Sequence, residues 1–239
     1  MSDPEARHSR NIAARPQVVI VIFDSHEAGW WKAVYLSATA GEVTGADTSV
    51  RLGAFLEVII AIAIIGTAVT LFPIVKRQNE GFALGYVAAR VLESIVIVVG
   101  IISLLSVVTL RQDLAGAAGA DAALLVTAGK SLVAVHDWTF LLGPGLMPGV
   151  NGVLVGYLMY TSRLVPQPLA LLGLVGGPLL FASGIAVLLG VIEAGSVWQG
   201  ISTLPVAAFE VLLSIWLIVK GFNPSVIASE KFRLRPAQP

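Results

Sequence analysis

Apolar and polar positions alternate along the chain in long blocks rather than in short periods. Val58 to Val75 carries no charge and stops at Lys76-Arg77. Ser94 to Val108 carries none, and a helix through it starts near Phe82. Trp138 to Ser162 and Leu164 to Ile192 carry none. Ala194 to Phe209 and Val211 to Val219 are interrupted only by Glu210. A bilayer core of about 30 Å takes about 20 apolar residues of helix to cross. Five spans follow, at about 52–75, 82–108, 130–160, 168–192 and 201–220. The connections are short. KRQNEG (76–81) is a polar hairpin, Pro166 and Pro168 punctuate the next tight turn, and RQDLAGAAGAD (111–121) reads as a small-residue loop. Pro168 suits the first turn of a helix.

Residues 16–38 break the pattern. VVIVIF could be a buried strand or half a span, but Asp24, His26, Glu27 and Lys32 crowd the turns that follow. Each charge at a span centre costs at least about 2.5 kcal/mol on insertion scales. Trp30, Trp31 and Tyr35 suit an interface instead. The loop charges favour a crossing over an interfacial N-terminus. If 16–38 crosses and the N-terminus is cytoplasmic, the inside receives Arg7, Arg10, Arg15, Lys76, Arg77, Arg163, Lys220, Lys231, Arg233 and Arg235. The outside then receives Lys32, Arg51, Arg111 and Lys130 among most of the loop acids. That distribution obeys the positive-inside rule. The expectation is an all-α, polytopic transmembrane bundle of six spans, the first atypical. Both tails, 1–15 and 221–239, are then basic and cytoplasmic.

Composition supports a lipid setting. Of 239 residues, 56% are apolar and 13% charged, against roughly 25% charged in a soluble domain. The mean hydropathy is +0.85. A formal net charge of zero gives no footprint for nucleic acid. The absence of cysteine excludes disulfides, thiolate metal sites and a cysteine nucleophile. The N-terminal arginines lead into an apolar run, Val18 to Phe23, too short for a secretory signal.

RVLES (90–94), HDWTFLLGPGLMPGVNGVLVGYLMY (136–160), LVPQPLALLGLVGGPLL (164–180), LIVKGFNPS (217–225) and NEGFALGYVAARVLE (79–93) together resemble a bacterial membrane-protein family, domain of unknown function 4386. The similarity covers roughly residues 51 to 225. The resemblance implies six helices in the bacterial plasma membrane and implies no activity. Two departures stand out. DSHEAGWWK (24–32) occupies the place of an ordinarily apolar first helix; a divergent helix or a locally shifted reading frame both account for it. VPQP after Leu164 stands where the family tends to be basic.

Ionisable residues within the spans are the candidate chemistry, because such groups face a bundle interior and seek partners. At 1.5 Å per residue, Glu57, His136 and Asp137 fall at one level near the outer side, a candidate polar site. Arg90, Glu93 and Glu210 fall at a deeper level, a candidate charge relay, and Arg90 and Glu93 share one helix face. Four carboxyls against one arginine and one histidine leave buried negative charge to be balanced by a proton or a cation. A structural reading stands beside this one: two polar clusters that only fix helix packing. No metal ligand set, cofactor motif or catalytic residue is expected. HEAGW lacks the second histidine of a zinc protease, and there is no P-loop, no GxSxG elbow and no dinucleotide-binding glycine pattern.

Gly143, Pro144, Gly145, Pro148 and Gly149 should kink or break the fourth span. Carbonyls freed there need new donors, with Asn151 one candidate. A break of this kind lines a binding cavity in some transporters. A kink would also fit 130–160, about 46 Å as a straight helix, into the membrane. Small-xxx-small spacings at Gly81/Gly85, Gly145/Gly149, Gly152/Gly156 and Gly173/Gly177 predict close helix approach, within the bundle, in a homo-oligomer or against a membrane partner protein. The functional expectation is an integral membrane protein, transporter-like for a small solute or for protons. A structural or partner-binding subunit is the alternative, and an unfamiliar intramembrane enzyme the third class.

Overall fold

The computed structural model describes residues 17–21, 35–39, 44–114 and 120–226. Two short strands, β1 (Gln17–Val21) and β2 (Tyr35–Thr39), pair antiparallel with Gln17 opposite Thr39. Helices follow: α1 (Thr44–Val75), α2 (Glu80–Leu114), α3 (Ala120–Phe140), a π-helical turn (Leu141–Leu146), α4 (Met147–Ser162), α5 (Gln167–Leu188) and α6 (Val197–Val219). Five helical runs are long and apolar enough to cross a membrane: Asp47–Val75, Glu80–Asp113, Ala123–Ser162, Gln167–Leu188 and Val197–Val219. The protein is a multi-pass membrane protein with a helical membrane domain.

The expected span at 16–38 is not among these five. Its described residues are β1 and most of β2, and 22–34 lies outside the described residues. β-branched Val and Ile in VVIVIF favour an extended chain, and the charges after them oppose a membrane helix. The expected loop at 111–121 is also shorter, since α2 runs to Leu114 and α3 begins at Ala120. The expected fifth span ends at Leu188 rather than 192, with Gly190 at φ +69° in the turn that follows.

Local chemistry sets the other boundaries. The Asn79 side-chain oxygen accepts from the Phe82 N–H at 3.1 Å and caps α2. Ser196 Oγ accepts from the Gln199 N–H, while Gln199 Oε1 accepts from the Gly195 N–H at 2.6 Å. This reciprocal arrangement closes the start of α6 much as a capping box does. Pro166, extended at φ −55° and ψ 132°, leads into α5.

Two compact units divide the chain: Met1–Leu56 with Ile101–His136, and Glu57–Gly100 with Asp137–Pro239. In the first, Arg111 Nη1 lies 3.0 Å from Asp47 Oδ1, an ion pair between α2 and α1. Ser103 Oγ donates to the Leu132 carbonyl at 2.6 Å. In the second, Val75, Ala83, Tyr86, Leu158, Met159, Leu164 and Phe209 form a buried core. Its outer surface is apolar, with Ile62, Val69, Leu204 and Ile218 all well exposed. Helices apolar on their outward faces are stable in lipid rather than water.

Glycine holds the second unit's helices together. A Cβ placed at Gly177 on α5 would stand 2.6 Å from the Gly149 carbonyl oxygen on α4, and one at Gly173 would stand 2.9 Å from the Gly152 oxygen. Gly176 faces Pro205 of α6 as closely, at 2.7 Å. The pairs predicted at Gly152/Gly156 and Gly173/Gly177 thus serve contact within the bundle. The pair at Gly81/Gly85 is looser: a Cβ at Gly85 would meet the Leu154 side chain of α4 at an ordinary 3.8 Å.

Candidate functional site: a polar cluster and cleft within the membrane

Arg90 is the hub of the second unit's polar groups. Its Nη1 donates to Glu93 Oε2 at 3.1 Å, its Nη2 to Glu210 Oε1 at 2.9 Å, and its Nε to the Tyr86 hydroxyl at 3.3 Å. Helical spacing produces most of this. Tyr86, Arg90 and Glu93 stand four and three residues apart on α2, hence on one face. Tyr86 also lays its ring beneath the guanidinium, 5.6 Å from its centre. Asn151 on α4 completes the set, with Nδ2 donating to Glu93 Oε2 at 2.7 Å.

Counting 1.5 Å per residue, Arg90 lies about 15 Å from the start of α2, Glu210 about 14 Å from the end of α6, and Asn151 about 16 Å from the end of α4. The cluster therefore sits near the midplane of a core about 30 Å thick. Its two carboxylates have different surroundings. The Glu93 side chain is 4% exposed, that of Glu210 41%. Glu210 opens onto a cleft of about 330 Å³ that Arg90, Asn151, Thr67, Thr70 and Ser214 help line.

Three hydroxyls of that cleft present only acceptors. The hydroxyls of Thr67, Thr70 and Ser214 donate back to the carbonyls of Ile64, Gly66 and Glu210, so only their oxygen lone pairs remain. Asn151 is 1% exposed, and its Oδ1 has no hydrogen-bond partner. Glu93 fixes the amide orientation, because a carboxylate accepts only from the NH2 end. Buried polar atoms are nearly always satisfied, which marks Asn151 Oδ1 as a position suited to a donor. The charged groups of this wall are Glu210 and Arg90, which are paired with each other.

Arg90, Glu93 and Glu210, placed at one depth from the sequence, are thus in direct contact. Glu57 and His136 are half-buried and Asp137 is exposed; Glu57 and Asp137 belong to the second unit and His136 to the first. Among the described residues, no three His, Asp or Glu side chains gather as metal ligands would. Tyr86 is a cluster member that the sequence reading misses, although its position four residues before Arg90 is an available signal. The sequence offers Asn151 as a partner for carbonyls freed in a broken helix; its amide goes to Glu93 instead. Nor does the chain unwind at Gly143, Pro144 and Gly145: it is π-helical there and α-helical again from Met147, through Pro148 and Gly149.

The profile of a family described as a domain of unknown function (DUF4386) matches residues 33–221. The chain belongs to this family. The match contains all five membrane-crossing helices, and with them every residue of the Arg90 cluster, so the cluster and its cleft lie inside the DUF4386 domain. No curated protein and no solved structure matches the chain.

Proposed function

We propose that this DUF4386 protein is a transporter-like bundle that takes up a proton, or a small solute bearing cationic or hydrogen-bond-donating groups, at the Arg90–Glu93–Glu210 cluster. One observation carries the reading: Glu210, paired with Arg90 at mid-membrane depth, opens onto a cleft where the hydroxyls of Thr67, Thr70 and Ser214 present only acceptors. A ligand with N–H groups or positive charge finds acceptors at Glu210 and at the hydroxyl oxygens of Thr67, Thr70 and Ser214. Anions gain little there, because both carboxylates already hold Arg90. A packing role is the second reading, favoured by Glu93, which is buried and held by two donors.

The protein has no cysteine, so single cysteines report cleanly. Cysteines at Thr67, Thr70 and Ser214 should react with a membrane-impermeant maleimide, in intact cells or inverted vesicles, well above one at lipid-facing Ile218. In proteoliposomes, Glu210→Gln should abolish acidification driven by a pH gradient. Cleft cysteines that label no faster than Ile218 would leave the packing role standing.

The remaining assignments belong to the same proposal. The residence is the bacterial plasma membrane, with the end bearing Lys76, Arg77, Arg163 and Lys220 facing the cytoplasm, as basic loops favour. A crossing by residues 16–38 would make six spans and bring the N-terminus to the same side. The Gly143–Gly149 stretch is proposed as a kink beside the cleft. The exposed apolar side chains leave room for a second copy or a membrane partner.

A further inference from the structure

A second cavity, of about 450 Å³, lies at the end of the second unit where α4 ends, α5 begins and α6 ends. We infer that it is a seat for the phosphate headgroup of an anionic bilayer lipid. Arg163 and Lys220 both line it, and no acidic residue does. Among the described residues neither cation has an ion pair or a side-chain hydrogen bond. Gln167 adds amide donors, and Trp216, one turn before Lys220 on α6, adds an aromatic wall.

The cavity is built rather than incidental. α4 ends on Arg163, which alone among described non-glycine residues has positive φ, at 56°. Glycine or asparagine commonly takes that position, so an arginine there gives up backbone ease for a cation at the rim. At the other wall, Gly221 adopts φ +71° and turns the chain back across the α4–α5 connection. The Asn223 N–H then donates to the Leu164 carbonyl at 2.9 Å. Phe222 packs against the core, and Leu164 and Val165 beneath are buried. Cations at the rim above an apolar floor match a lipid's phosphate above its glycerol and acyl chains.

Position favours a lipid over a free phosphate. The ends of three membrane helices meet here, at the level where tryptophan and snorkelling lysine mark the interface. Basic pockets between helices at the cytoplasmic surface are suited to anionic headgroups. Lys76 and Arg77 raise the positive potential of the same end, since Val75 shares the core cluster with Leu164.

The test is thermal stability of the delipidated protein in detergent, titrated with phosphatidylglycerol, with phosphatidylcholine, or with inorganic phosphate. Phosphatidylglycerol should raise the melting temperature saturably, and phosphatidylcholine should require at least tenfold more lipid for the same shift. Arg163→Gly with Lys220→Gln should weaken the phosphatidylglycerol response at least tenfold, whereas Lys76→Gln with Arg77→Gln should leave it within threefold. Arg163→Gly suits the left-handed backbone, so this single variant carries the test if the double variant does not fold. An unchanged response in the Arg163 variant, or equal responses to the two lipids, would overturn the assignment. A full response to inorganic phosphate alone would replace the lipid with a soluble anion and overturn it equally.

Discussion

Replacing Arg90 by leucine removes the cation shared by two carboxylates, and the two sides of the cluster should respond unequally. Glu93, 4% exposed, would keep only the Asn151 amide as a donor. Removing one partner of a buried ion pair costs about 3–5 kcal/mol, because the remaining charge stays desolvated. Glu210, 41% exposed at the cleft, reaches solvent more easily and should add on the order of 1 kcal/mol or less. Arg90→Leu should therefore cost about 3–5 kcal/mol, read as unfolding free energy in mixed detergent by circular dichroism. Most of that cost is stranded charge. The triple variant Arg90→Leu, Glu93→Gln, Glu210→Gln should then recover at least half of it, since the amide introduced on α2 can still accept from Asn151. Arg77→Gln, in an exposed turn, is the control and should stay within about 0.5 kcal/mol of the parent. An Arg90→Leu variant as stable as that control would refute the buried-hub account. A triple variant no better than the single one would refute the stranded-charge explanation.

Other perturbations test separate parts of the molecule. Gly177→Ala should cost about 1–3 kcal/mol, because its Cβ would stand 2.6 Å from the Gly149 backbone oxygen. Gly200→Ala on α6, with nothing within 4 Å, should be neutral or stabilise by up to about 1 kcal/mol; equal losses in the same unfolding assay would deny the close α4–α5 approach. Asn151→Leu should cost about 1–3 kcal/mol through loss of a hydrogen bond to a charged group, and this loss should shrink in a Glu93→Gln background. Ser196→Ala should lower stability by about 1 kcal/mol through loss of the α6 cap. A phosphatase or fluorescent reporter fused after Pro239 should read cytoplasmic, and an external signal would reverse the proposed orientation.

The five apolar runs were legible because lipid demands uninterrupted stretches, and depth counting alone set Arg90, Glu93 and Glu210 at one level. Azimuth was not legible. Nothing in the sequence fixes which way Asn151 points, since that depends on the helix phase after the π turn. Gly81/Gly85 and Gly173/Gly177 look alike as spacings, yet only the second pair meets the backbone of a neighbouring helix, because spacing does not say what stands opposite. Arg111, a loop residue by sequence, is a helical partner of Asp47; the small-residue run after it hid the end of α2. At 16–38 the opposite difficulty held: charge counting favoured a sixth crossing, while the β-branched run described the local chain better.

The π turn connects the proline pattern to the polar cluster. In an α-helix the Phe140 carbonyl would face the nitrogen of Pro144, which has no hydrogen. The π register pairs each carbonyl with the fifth residue onward, so the Gly145 N–H becomes its donor. The α register is back where the Met147 N–H meets the Gly143 carbonyl. One extra residue in the turn rotates everything after it by about 100°. With that rotation Gly149, Gly152 and Gly156 face α5, and Asn151 reaches Glu93. Deleting exposed Leu142 while changing Pro144 to alanine should convert the turn to α-helix and keep both faces in place. The variant should express as a single folded species and melt within a few degrees of the parent. Deleting Leu154 instead offers no π turn to absorb the loss. It would swing Gly156, Leu158 and Met159 away from the core, and folded protein should disappear. If both deletions proved equally damaging, the π turn would not be what sets the phase of α4, and the Asn151–Glu93 contact would need another cause.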